Sequence, residues 1–362
     1  MKQFEVLRDD LSRFRLVEAK PGELADGTIR CQVERFAFTA NNMTYAVAGD
    51  MLGYWQFFPA SEDGWGQIPV WATAKVIESR CDEVAAGARL YGYFPPAETV
   101  DLVPGQVSDH RLVDMAPHRQ SLPPLYNHYR RLPPALNRAR DNVQILLAPL
   151  HITSFCLWDV LKRRDWHGAR RILVSSASSK TSLGLAYGLA QDDDAPTTVG
   201  LTSSGNVEFV QSTGLYDEVV AYDDVASLDT ATSVLVDMAG MPSLVAALYA
   251  HLGDALAYRY NVGATHAPGS DTSLTGGGGG GGASDKQDRE LFFAPQYILE
   301  RVQQWGAAEF DRRSGEYLAG SAAATAKFMD IEEREGLATL QDVYPAFHDG
   351  SWPPDKGLVI RP

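Results

Sequence analysis

The stretch Ile172–Ala186, ILVSSASSKTSLGLA, holds the residue types of a phosphate-binding turn but lacks its usual glycines. Apolar and β-branched residues lead into small polar residues and then a helix-like run, where nucleotide-binding chains normally place glycine. Three readings of the turn are compatible with its residue types. An ATP loop needs GxxxxGK[ST], and setting Lys180 and Thr181 at its end puts Val174 and Ser179 where the two glycines belong. An ordinary strand–helix turn would use the serines as caps, because their oxygens satisfy the orphan N–H groups of a helix. A dinucleotide turn would set a pyrophosphate on the helix N-terminus, where free N–H groups and the positive end of the dipole point. The hydroxyls of Ser175, Ser176, Ser178 and Ser179 would add donors there, Lys180 would add charge, and Thr181 would close the turn. A lysine at a helix N-terminus opposes the dipole and costs a few tenths of a kcal/mol unless an anion is present. Gly184 and Gly188 follow on the same helix, where small residues permit close packing on a sheet.

After the next strand comes GLTSSGN, with Thr202, Ser203, Ser204 and Asn206 and no carboxylate before Glu208. Chains that bind NAD usually carry an acidic residue there for the ribose diol. Without that charge a 2′-phosphate is not repelled, which favours NADP over NAD although no arginine is visible to hold the phosphate.

A second group of residues lies near the N-terminus. Tyr45 is flanked by Asn41, Asn42 and Thr44, whose side chains suit orienting a carbonyl or, more simply, forming a turn. Tyr54, Trp55, Phe57, Phe58, Trp65 and Trp71 follow, too aromatic for a solvent loop. They form either the core of a small domain or the wall of an apolar pocket. His151 lies among apolar residues, where a lone histidine is most often simply hydrogen-bonded. The eight histidines show no HxxxH or HExxH pairing, which argues against a histidine metal site.

These residues sit on two textures of chain. Residues 1–135 read as short strands, such as TIRCQVERFAFTA and PVWATAKVIES, separated by Gly, Pro and Asp turns. The proline-rich LPPLYNHYRRLPPALNRARDN is expected to cross between domains. ILLAPLHITSFCLWDVLKRR reads as helix, and strands and helices then alternate from RRILVSS to ALAYRYNVG, which implies βαβ units and a parallel sheet. The segment 268–289 contains seven consecutive glycines and is expected to be a flexible surface loop. FFAPQYILERVQQW returns to helix, and KGLVIRP reads as a final strand.

The composition bounds the function. With 362 residues, two domains are expected. A net charge of −14 argues against non-specific binding to nucleic acid or to anionic membrane. Cys31, Cys81 and Cys156 are far apart and show no CxxC spacing, which fits a reducing, cytoplasmic compartment and excludes a four-cysteine zinc site. The charged N-terminus is not a secretory signal, and no window approaches eighteen unbroken apolar residues, so no membrane span is expected.

Several stretches, in order, resemble the medium-chain dehydrogenase/reductase superfamily, particularly its zinc-free quinone and enoyl reductase branches. GARLYG at 87–92 resembles the GDRVxG turn, with Ala88 in place of the acid. VDMAG at 236–240 and the helix after it resemble the D-x-x-G strand and helix, and TGLYDEVVAYDD at 213–224 resembles LGAD-x-V-x-x-Y. TYAVAG at 44–49 resembles the D-T-Y-x-x-x-G segment of quinone reductases, and DKGLVIRP resembles the closing G-K-x-V-L strand. TANNMTY…GYW…FFPA and SSASSKTS are also similar to an uncharacterised branch known only as a domain of unknown function. At the family's glycine positions this chain has Ser175, Ser178 and Thr181.

The resemblance implies an α/β protein: a Rossmann-like doubly wound parallel sheet over 141–319 plus a β-rich GroES-like substrate domain over 1–140, completed by 320–362. It implies zinc-independent, NADPH-dependent reduction of an activated C=C or C=O in a hydrophobic small molecule, and an active site between the domains. Ser176, Ser178, Ser179, Lys180, Thr181, Thr202, Ser203 and Asn206 are the cofactor-binding candidates. Tyr45, with Thr44 and Asn42, is the catalytic candidate that polarises or protonates the substrate; Tyr54, Trp55, Phe57, Trp71 and His151 are the pocket candidates. No metal is expected, and dimers are common in the superfamily, so a homodimer is the expected assembly. The lost glycines keep a second reading open, a reductase-fold protein without dinucleotide that acts as a binding or scaffold protein.

Overall fold

Near the N-terminus, inward apolar residues recur along short strands, and antiparallel pairing around one covered face is the arrangement that buries them. The computed structural model describes residues 1–262 and 289–362; the seven-glycine run lies outside the described residues. The chain begins with β1 (Lys2–Leu7), β2 (Asp10–Glu18), β3 (Ile29–Phe38), helix α1 (Ala40–Val47) and β4 (Trp65–Gly66). It continues with β5 (Val70–Ser79), β6 (Arg89–Phe94), β7 (Thr99–Leu102), β8 (Pro104–Gly105), β9 (Arg111–Asp114) and β10 (His128–Leu132). Helix α2 (Arg138–Arg163) follows, with Pro149 inside it. Then come β11 (Arg171–Ser175), α3 (Lys180–Ala190), β12 (Thr197–Thr202), α4 (Val207–Ser212), β13 (Glu218–Ala221) and β14 (Ser233–Asp237). The alternation runs on through α5 (Pro242–Leu252), β15 (Leu256–Asn261), β16 (Arg289–Leu291), α6 (Ala294–Trp305) and α7 (Ala307–Thr325). Last are β17 (Asp330–Glu335), α8 (Thr339–His348) and β18 (Lys356–Arg361).

These elements form two compact units, Met1–Pro149 with Asp330–Pro362, and Leu150–Met329. The first carries a sheet in the order β17-β18-β3-β5-β6-β10-β9-β8, with β7 also on β3, and a small sheet β2-β1-β4. The chain's last strand lies antiparallel on β3, with Val359 opposite Ala37. The proline-rich stretch does not simply cross between domains: its His128–Leu132 is β10, paired with β6 and β9 inside this unit.

The second unit is a parallel sheet in the order β13-β12-β11-β14-β15-β16. β11 and β14 are its central strands, and both are almost wholly buried, as continuous apolar runs in a sheet covered on both faces must be. Strand order reverses between β11 and β14, so the switch point of a doubly wound fold falls at the end of the strand that carries Ser175. The GroES-like plus Rossmann-like α/β architecture expected from the sequence is the one observed. Helix α2 is long and apolar enough to cross a membrane by composition, but its most apolar stretch is mostly buried inside the protein.

The Trp55 ring fills the first unit where glycine leaves room. A Cβ at Gly66 would stand 2.5 Å from Trp55 Cε3, and a Cβ at Gly49 would collide with the indole nitrogen. Gly66→Ala therefore forces the ring out of place, and a loss of about 1–3 kcal/mol in chemical denaturation is expected, the usual cost of overpacking a core.

Candidate functional site

The serine-rich turn between β11 and α3 is held on every side. Ser175, completely buried, donates its hydroxyl to Asp237 Oδ1 at 2.8 Å and accepts the N–H groups of Met238 and Ala239 at 2.9 and 3.0 Å. Ser176 takes the left-handed conformation at φ 52°, a strained setting for a residue with a side chain, and its N–H donates to the Tyr222 hydroxyl at 3.0 Å. The Ala177 N–H reaches the Leu201 carbonyl of β12 at 3.0 Å, and the Tyr216 hydroxyl donates to the Ala177 carbonyl at 2.9 Å. Ser179 is the N-cap of α3, accepting from the Ser182 N–H at 3.2 Å. The Ser182 hydroxyl donates back to the Ser175 carbonyl at 3.2 Å. Asn206 Nδ2 donates to Ser178 Oγ at 3.2 Å and so ties the loop after β12 to the turn.

The cofactor candidates therefore gather around one turn. Ser176 and Ser178 are buried, Ser179, Lys180, Thr181 and Asn206 are half-buried, and Ser203 is exposed. Thr202 is buried at the end of β12. No carboxylate lies between Thr202 and Val207.

Beneath the turn, Gly184 and Gly188 make room for neighbouring helices rather than for the sheet. A Cβ at Gly184 would lie 2.7 Å from both His151 Cδ2 and Ser154 Oγ of α2, and one at Gly188 would meet Tyr317 of α7. Ser154 donates to the Thr181 carbonyl at 2.7 Å, and Tyr317 to the Gly184 carbonyl at 2.7 Å. His151 is fully buried, with Nδ1 on Ser321 Oγ at 2.8 Å. Burial pushes its pKa down to about 4, partly offset by a hydrogen bond to the Lys180 backbone, while the Lys180 charge adds to the depression. The imidazole is neutral at neutral pH. It stands among α2, α3 and α7, as support for the turn.

Asp237, on the β14 side of the switch point, accepts the Gly240 N–H at 3.0 Å besides the Ser175 hydroxyl. Its other oxygen meets Arg259 Nη2 of β15 at 2.8 Å. Two polar atoms beside this pair, Arg259 Nε and Asn261 Oδ1, are buried without a hydrogen-bond partner among the described residues. A reading of the sequence alone gives no signal for Arg259. An arginine inside LAYRYN reads as an ordinary outward residue, and its partner is on another strand.

In the first unit, Tyr45 lies on α1, buried, in tilted or edge contact with Tyr54, Tyr93 and Tyr126 at centroid distances of 4.7, 5.5 and 6.4 Å. Trp71 Nε1 donates to its hydroxyl oxygen at 3.1 Å, and the Asn41 side chain also hydrogen-bonds it. Burial pushes the Tyr45 phenol up to about 12, so it keeps its proton. Asn42 is engaged by the fold: Oδ1 accepts the Thr39 N–H at 2.7 Å, and Nδ2 donates to the Pro69 carbonyl at 2.8 Å. Thr44 is half-buried on the same helix. Tyr54 and Phe57 are buried against Tyr126, the two tyrosine hydroxyls 3.1 Å apart. Trp71, half-buried, stacks on Tyr91 with centroids 5.6 Å apart. Trp55 is enclosed by the two glycines described above. The described residues contain no group of three or more His, Cys, Asp or Glu placed to hold a metal ion.

The sheet order and the strand–turn–helix at its switch point define a Rossmann-like unit, and the unit with it is GroES-like. The fold is similar to that of solved quinone oxidoreductases and an enoyl reductase. It is similar to CurA from Vibrio vulnificus in complex with NADPH, at 10% identity and TM-score 0.61 over 100% of this chain and 99% of that one. It is also similar to Escherichia coli quinone oxidoreductase complexed with NADPH, at 12% identity and TM-score 0.56 over 100% of both chains. CurK enoyl reductase matches at 11% identity and TM-score 0.53, over 99% of this chain and 98% of that one. No curated protein matches the sequence. Residues 36–353 match the family described as "Protein of unknown function (DUF2855)", and the chain belongs to that family.

Because His151 is neutral in the folded protein and titrates near 6.5 when unfolded, the unfolded state binds the extra proton. Its contribution to stability is complete above pH 6.5 and is lost as pH falls from there toward 4. Urea unfolding at pH 7 and pH 5 should show a loss of about 2 kcal/mol in the wild type that is missing in His151→Gln.

Proposed function

We propose that the chain is an NADPH-dependent reductase that acts, without zinc, on an electron-poor C=C or C=O of a hydrophobic small molecule. The observation that carries this reading is the β11–turn–α3 unit at the switch point, with Lys180 in the first turn of α3 and no carboxylate among residues 202–207. Ser176, Ser178, Ser179, Lys180 and Thr181 would hold the pyrophosphate, and Thr202, Ser203 and Asn206 the phosphorylated ribose. The residues present fit the group: the turn offers hydroxyls, a lysine and helix N–H groups to an anion. When bound, NADPH supplies the hydride.

The protein's part is to bind, orient and protonate. Trp71 and Asn41 both engage the Tyr45 oxygen, and the Trp71 indole can only donate. The phenol's own O–H is then the donor left for a substrate carbonyl, and its raised pKa keeps the proton in place until charge develops on that oxygen. The aromatic residues around Tyr45 suit an apolar substrate.

One observation favours a second reading. The hydroxyls of Ser175 and Ser178 already have partners inside the protein, as in a turn that binds no phosphate and belongs to a binding or scaffold protein.

Calorimetry with NADPH and NADH separates the two. Micromolar binding of NADPH, tighter than NADH, is expected; no binding of either at millimolar concentration would leave only the second reading. Lys180→Ala should weaken both dinucleotides by about tenfold if it meets the pyrophosphate, one charge-assisted contact being lost. In an active preparation Tyr45→Phe should lower kcat by about 10²-fold or more with NADPH affinity unchanged, and unchanged turnover would make Tyr45 a core residue.

A further inference from the structure

We infer that the substrate carries an anionic group at one end of a flat, conjugated or aromatic body, and that Arg130 and Arg111 receive that group. This rests on the reductase reading above and adds to it the chemical class of the substrate. Arg130 on β10 stands directly opposite Arg111 on β9 in the antiparallel register, so both side chains leave the same face of the sheet. Both residues are exposed, and neither guanidinium has an ion pair or a hydrogen bond among the described residues. Like charges placed directly opposite one another weaken a strand pair. The chain has 46 acidic residues against 32 lysines and arginines, and Arg30, Arg80 and Arg89 of the same unit each hold a carboxylate. Arg111 and Arg130 hold none. Burial first, and the Arg111 charge second, push the neighbouring His128 imidazole below its ordinary value. An anion bound across the two arginines would turn their repulsion into attraction.

The pair borders an aromatic surface that leads to Tyr45. Arg130 also stands opposite Tyr91 of β6, its guanidinium carbon 5.3 Å from the ring centroid. Tyr91 stacks on Trp71 of β5, and the Trp71 indole donates to the Tyr45 oxygen. Trp71 and Tyr91 are both half-buried, so part of each ring is open to a ligand, whereas Tyr54, Tyr93 and Tyr126 beside them are buried. Aromatic rings suit a flat conjugated partner. An arginine held over a ring is already placed to meet a carboxylate, sulfonate or phosphate. A carbonyl near Tyr45 and an anion at Arg130 are then the two ends of one molecule lying along Trp71 and Tyr91. A cationic end group would be repelled by the pair, and a wholly neutral substrate would leave both charges unanswered.

The test is calorimetry on the full-length protein, without dinucleotide, using anthraquinone-2-sulfonate and the neutral 2-(hydroxymethyl)anthraquinone. The sulfonate is expected to bind at least about tenfold more tightly, as befits charge-assisted contacts to two arginines, and to lose most of that margin as salt is raised. Arg130→Gln or Arg111→Gln should bring the sulfonate close to the neutral probe. Arg111→Gln should also melt no lower than the wild type, because it removes a repulsion; a lower Tm would assign the pair to the fold and overturn the inference. Equal binding of the two probes, binding of neither, or a sulfonate preference that survives both substitutions would overturn it as well. Those results leave the reductase reading standing wherever NADPH binds in a parallel titration. If NADPH does not bind, that reading falls, and the inference about its substrate falls with it whatever the probes do.

Discussion

The buried carboxylate of Asp237 organises the second unit. At 1% exposure it needs donors, because an unpaired charge inside a protein is far costlier than any single packing defect. It takes them from three places: the Ser175 hydroxyl at the end of β11, the Gly240 N–H in its own turn, and the Arg259 guanidinium on β15. The Val262 N–H closes on its carbonyl at 2.9 Å. One side chain thus fixes the ends of the two strands between which the sheet order reverses and of the strand beyond them. The turn that carries Lys180 begins at one of those ends.

This constraint accounts for the missing glycine at Ser175. A glycine there would take a hydroxyl donor from Asp237 and an acceptor from the Met238 and Ala239 N–H groups, leaving buried polar atoms unmet. The serine is a structural member of the switch point, and the same holds for Ser182 beneath it. What differs from a glycine-rich turn is how a phosphate could be met. Ser178 Oγ and Asn206 Nδ2 pair with each other beside the turn, so under the proposed cofactor reading contact would fall to side chains and to the first turn of α3.

Much of this was legible in the sequence because it depends on local pattern. The continuous apolar runs of β11, β12 and β14 and the helices between them announce a parallel sheet, and the strand that enters the serine-rich turn is one of the two between which the sheet order reverses. What the sequence hides is pairing at a distance. Ser175 reads as one serine among several until the register brings it beside Asp237, and Arg259 has no meaning apart from a carboxylate 22 residues earlier in the chain. Gly184 and Gly188 were readable as close-packing positions, but not that His151, Ser154 and Tyr317 on two helices are what they admit. In the first unit the aromatic residues were equally readable as core or as pocket. Trp55 between two glycines and Asn42 in the cap of α1 serve the fold, whereas Trp71 and Asn41 both meet the Tyr45 oxygen.

The charges around the second unit's site have a direction. Lys180 places a cation at the turn, and His151 below it is kept neutral by burial, so the positive charge is not doubled inside the core. Toward β15, Arg259 is matched by Asp237. The direction runs from a lysine in the first turn of α3, after β11, to a matched arginine–aspartate pair between β14 and β15, in a chain whose net charge is −14.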